Sequence, residues 1–151
     1  MKKYVLFFGL AACSLYMARC VSFKVEVLPP TENQVEYICI CKDIEESEDL
    51  LSPVEVQSEF GSNGNSIICL IRLKEVSREI QLRWKWFSPD KKLVKDSGNI
   101  PVNQDEKYLE VVTAYDKLEF DSQLNKSIKG QWTVAVFIDD ELLGKRLFQI
   151  K

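Results

Sequence analysis

The sequence predicts an all-β domain, a two-sheet sandwich of about seven or eight strands joined by Greek-key connections, set behind an N-terminal export segment. Three observations predict it. Short apolar runs recur roughly every ten to twenty residues, and several alternate apolar with polar positions as half-buried strands do. Gly, Pro, Asn and Asp punctuate the gaps, and no stretch sustains a helical period.

Taken in order, SFKVEVL (22–28) alternates Phe23, Val25 and Val27 with polar neighbours and stops at Pro29-Pro30. VEYICICK (35–42) places Val35, Tyr37, Cys39 and Cys41 on one face and Ile38 and Ile40 on the other. KDIEESEDLLSP (42–53) reads as an acidic connector, a solvated loop or short helical turn; it lacks the glycine bend of a calcium loop. PVEVQSEF (53–60) is a short extended segment, and GSNGN (61–65) a loop suited to positive φ. SIICLIRLKEV (66–76) and IQLRWKWF (80–87) are strands, with Trp84 and Trp86 projecting from one face and Arg83 and Lys85 from the other. A polar stretch (88–107) turns at Pro89-Asp90. YLEVVTAYDKLEF (108–120) fits a strand better than a helix, residues 121–130 form a loop, and WTVAVFI with LLGKRLFQI closes the domain.

The first residues carry two charges, Lys2 and Lys3, then the apolar stretch YVLFFGLAACSLYMA. This is the layout of a secretory signal, short of the roughly 20 residues a transmembrane helix needs. Leu10-Ala11-Ala12-Cys13 resembles a bacterial lipobox, which makes Cys13 a candidate lipidated N-terminus. Cleavage after Cys20, with Ala18 as the small residue, and an uncleaved anchor are the alternatives; in each case the signal peptide lies within 1–20 and 21–151 is one domain outside the cytoplasm.

The 151 residues contain no histidine, which removes Ser-His and Cys-His nucleophile pairs and the commonest general base. With no CxxC pair either, a zinc site of ordinary ligands is not expected. The chain carries a net charge of −3 and no basic cluster, so nucleic acid is not an expected partner. Beyond the leader Cys39, Cys41 and Cys69 remain. Cys39 and Cys41 share a face and are poorly placed to bridge each other; either is a candidate disulfide partner for Cys69, or all three are small buried hydrophobes.

Asp139-Asp140-Glu141, between two apolar runs, suits the turn of a hairpin. A glycosidase needs two carboxylates across a cleft, usually from separate elements, which adjacent acids on one loop do not provide. Trp84, Trp86 and Phe87 are the candidate binding surface, weighed against a core role for at least one tryptophan.

The ordered set of PVEVQSEF, SIICLIRLKEV, LRWKWFSPDKKLV and Gly130-x-Trp132-x-Val134 with Phe148-x-Ile150 resembles a bacterial Ig-like β-sandwich module of extracytoplasmic proteins and lipoproteins. The resemblance implies fold and location: a non-enzymatic interaction or structural module of the cell envelope, its partner an envelope protein or a glycan, with no catalytic set, cofactor or metal. A small carboxylate-dependent hydrolase and a lipocalin-like carrier are the alternatives.

Overall fold

The computed structural model describes residues 34–47, 50–62, 66–120 and 129–151. The leader with Cys13 and Cys20, and the strand expected at 22–28, lie outside the described residues. Among the described residues ten strands form two sheets: β1 (Val35–Ser47), β2 (Leu50–Val56), β3 (Glu59–Phe60), β4 (Ser66–Val76), β5 (Ile80–Phe87), β6 (Leu93–Asp96), β7 (Ile100–Val102), β8 (Leu109–Glu119), β9 (Gly130–Ile138) and β10 (Glu141–Ile150). One sheet runs β2-β1-β4-β8 and the other β3-β10-β9-β5-β6, with β7 also on β5.

The chain crosses between sheets from β4 to β5 and again from β8 to β9, while β8 lies beside β4 and β9 beside β5. That interlocking is the Greek key of an Ig-like sandwich. The ten strands exceed the seven or eight expected because the polar stretch after Phe87 contributes two short ones, β6 and β7, and the acidic connector is itself a hairpin. Asp43 and Glu45 alternate with Ile44, so the segment pairs with β2 from Asp43↔Val54 to Ser47↔Leu50 instead of forming a loop. At the base of this arm Glu55 takes φ 52°, and β2 comes within 8 Å of β8.

Alternation fixes the core. On β5, Ile80, Leu82, Trp84 and Trp86 point inward and are buried; on β9 Trp132, Val134, Val136 and Ile138 do the same. Phe148 stacks near-parallel on Trp132 and meets Trp86 and Phe60 edge-on, at centroid separations of 5.8 to 6.3 Å. Burial of each such ring contributes on the order of 2–3 kcal/mol. The four-stranded sheet supplies Ile38, Ile40, Cys69, Ile71, Leu73 and Leu118 to the same core.

Gly130 explains part of the closing motif. Its φ is +133°, and a Cβ there would stand 2.8 Å from the Pro89 ring, so only glycine starts β9 under the β5–β6 turn. On β10 the register slips by one residue between Leu142 and Gly144, a β-bulge that lets Leu143 join Phe148 and Ile150 against the core. Leu147 falls on the other face of β10 and is exposed.

Candidate functional site

Trp84 and Trp86 are each 0% exposed, so they form no binding surface. The alternation that puts both on one face puts both in the core, which corrects the expectation from exposed aromatics. Phe87, the third member of that set, stands on the opposite face with Arg83 and Lys85 and is half-buried.

That opposite face is the outer surface of the six-stranded sheet, and the register organises it into rows. Leu93, Phe87, Thr133 and Leu147 lie side by side across four strands. Leu93 is 53% exposed and Leu147 57%. The next row is Asp96, Lys85, Ala135 and Lys145, and the one beyond it Arg83, Phe137 and Leu142. The Lys85 ammonium lies 5.0 Å from the Phe137 ring centroid, a cation–π placement. A largely apolar row and a row of Arg83, Phe137 and Leu142 thus flank a row carrying Lys85, Lys145 and Asp96. Reading the sequence missed Leu93 and Leu147; Leu93 was hidden in the polar stretch, and only strand pairing sets it beside Phe87.

The carboxylates near this face are held by cations. Arg83 grips Asp96 through two parallel hydrogen bonds of 2.8 and 2.7 Å. That contact, helped by the Gly98 N–H, lowers the Asp96 carboxyl to about 2 against the pull of burial. Asp139 and Asp140 form the two-residue turn between β9 and β10, both with positive φ (51° and 67°), the backbone of a type I′ hairpin. Glu141 is already in β10. Asp139 accepts from Arg78 at 2.6 Å and from the Gln81 N–H at 2.8 Å, tying this turn to the one entering β5. A carboxylate so engaged is a structural clasp.

The three described cysteines are free thiols, so the candidate bridge to Cys69 is not formed and the alternative of unbridged cysteines is the one seen. The β1–β4 register pairs Cys69 with Ile40, so Cys69 points into the core while Cys39 and Cys41 point outward. Directly opposed residues share a face, and no rotation of a side chain carries Cys39 or Cys41 through the sheet. Burial raises the Cys69 pKa, partly offset by the nearby Trp84 indole. The hydrogen bond with Cys39 raises Cys41, and the same contact lowers Cys39.

No protein-family model matches the chain, and no curated protein does. Among solved structures, an immunoglobulin-like protein from Pseudomonas aeruginosa aligns at 18% identity and a TM-score of 0.41, over 78% of this chain and 95% of that one. The alkylpurine DNA glycosylase AlkC of Pseudomonas fluorescens, bound to abasic-site DNA, aligns at 13% and 0.45, over 62% and 27%. A β-glucosidase from Kluyveromyces marxianus aligns at 13% and 0.38, over 76% of this chain and 14% of that one.

Proposed function

We propose that this chain is an exported, non-enzymatic interaction module of the bacterial cell envelope, held at the membrane by a lipid on Cys13. It binds a protein partner through the outer face of the six-stranded sheet. The observation that carries the reading is the row Leu93, Phe87, Thr133, Leu147, exposed at its two leucines, beside Lys85 and Lys145. A partner surface with apolar side chains and carboxylates complements it in shape and charge.

The alternatives lose support from the same geometry. The interior that a lipocalin-like carrier keeps open is occupied by Trp84, Trp86, Trp132 and Phe148. A carboxylate hydrolase needs an acid that holds a proton near neutrality, whereas Asp96 is held at about 2 and Asp139 is bound by Arg78.

Two experiments test the two halves of the proposal. Metabolic labelling with palmitate marks the wild-type chain and not Cys13→Ala; equal labelling of both rejects the anchor. A photoreactive residue at Leu147 or Leu93 crosslinks one discrete envelope protein, and Lys85→Glu with Lys145→Glu abolishes the crosslink; persistence in that double variant rejects the face.

A further inference from the structure

The four-stranded sheet ends in a long, straight edge. β8 pairs with β4 from Leu109 to Glu119, and among the described residues no strand lies on its other side. A groove of about 500 Å³ lined by Val94, Lys95, Lys117, Leu118 and Glu119 separates it from β6. Natural edge strands are usually blunted by proline, bulges, short length or charged side chains; β8 has eleven residues and no proline, and its charges at Glu110, Asp116, Lys117 and Glu119 leave the run Val111–Tyr115 uncharged.

Which backbone groups face outward follows from one contact. Lys95 Nζ donates to the Lys117 carbonyl across the groove, so that carbonyl points away from β4. In an antiparallel ladder the direction alternates. Tyr115, Thr113 and Val111 therefore present their N–H and C=O groups to the open edge, while Asp116, Ala114 and Val112 are bonded into β4. On the β1 side the same alternation holds, since Arg146 Nε reaches the Ile38 carbonyl and Gln57 N–H the Ile40 carbonyl.

We propose that β8 pairs antiparallel with β8 of a second copy about a two-fold axis through Thr113, joining two four-stranded sheets into one of eight. The side chains select this register. Thr113 meets Thr113, Val111 meets Tyr115, and just before β8 Lys107, which pairs with Asp105 in the single chain, comes opposite Glu119 of the second copy, which pairs with Lys117. Thr–Thr, aromatic with β-branched, and opposite-charge pairs are those that stabilise antiparallel strands. At the edge itself Tyr115 is 43% exposed and Val111 and Thr113 are partly exposed. Sliding the register by two residues in one direction sets Lys107 against Lys117; sliding it in the other loses the pairing of Lys107 with Glu119. Glu110 falls opposite Asp116, a like-charge pair offset by Lys95, which lies 2.7 Å from Asp116. The pairing uses the opposite sheet from the proposed partner face, so the two proposals stand or fall separately.

The test is sedimentation of the soluble domain across about 1 µM to 1 mM, since one strand pair makes a small interface and a weak dimer. The wild type shifts from monomer to dimer. Thr113→Pro removes an outward N–H that β4 does not use, so it sediments as a folded monomer throughout. Should that variant fail to fold, Val111→Lys with Tyr115→Lys sets like charges opposite each other and weakens dimerisation at least about tenfold. Oxidation of Thr113→Cys yields a crosslinked dimer, because the two Cα atoms stand about 5.5 Å apart, whereas Lys117→Cys yields none at that position. A monomeric wild type at 1 mM, a dimer that survives both edge variants, or crosslinking at position 117 instead of 113 overturns the proposal.

Discussion

Trp86 Nε1 donates to Asp116 Oδ2 at 2.7 Å, joining the middle of one sheet to the edge strand of the other across the core. The second carboxylate oxygen of Asp116 takes Lys95 Nζ at 2.7 Å, and the Asp116 side chain is 12% exposed. A charge this far from water persists because both its oxygens are occupied.

Removing Asp116 leaves the Trp86 N–H without its acceptor and the Lys95 ammonium with the Lys117 carbonyl alone. Asp116→Ala is expected to cost about 3 kcal/mol in urea unfolding, and Trp86→Phe about 1–2 kcal/mol. Replacing Lys95 by Met together with Asp116 by Leu costs less than Asp116→Ala alone, because no buried charge remains. Additive losses in that double variant would show that the two residues act independently.

Gly130→Ala should destabilise by about 2–4 kcal/mol, combining positive φ with the clash against Pro89. Pro89→Ala in the same background recovers part of the loss by opening the space. Equal stability of Gly130→Ala and wild type would contradict the geometry.

At the β9–β10 turn, Asp140→Gly is neutral or slightly stabilising, since the exposed Asp140 already pays for φ 67°. Asp139→Gly, with the same backbone relief, loses about 1–2 kcal/mol because Arg78 and the Gln81 N–H lose their acceptor. Thermal unfolding of the two variants separates them.

Acid sensitivity follows from Asp96. Its folded pKa of about 2 lies below the ordinary aspartate value of about 3.9, so the Arg83 contact stabilises the fold above roughly pH 4 and is lost as pH falls toward 2. Partial exposure limits the effect to about 1 kcal/mol. Between pH 5 and pH 2.5 the wild type therefore loses more stability than Asp96→Asn, measured by urea unfolding at each pH.

Much of the fold was legible in the sequence because strand alternation is a local signal. β4, β5, β8, β9 and β10 stand close to where apolar runs and turn residues placed them, and the Asp139-Asp140 turn follows from acids between two such runs. The β1–β2 arm was hidden, since its acids mask an alternation that matters only once β2 lies alongside. The candidate surface was legible only in Phe87. Trp84 and Trp86 carry the strongest aromatic signal, but which face of a strand is buried depends on the opposing sheet. Cys69 shows the same limit: its parity with Ile40 is a property of register, not of spacing along the chain.

The most direct test of the central claim uses photocrosslinking in intact cells from two positions, Leu147 on the outer face of the six-stranded sheet and Tyr108, exposed outside it. The account predicts one discrete crosslinked protein from Leu147, lost in Lys85→Glu/Lys145→Glu while thermal stability changes by less than about 0.5 kcal/mol, and no adduct with that protein from Tyr108. The same adduct from Tyr108, or an adduct from Leu147 that survives the charge reversals, would contradict it.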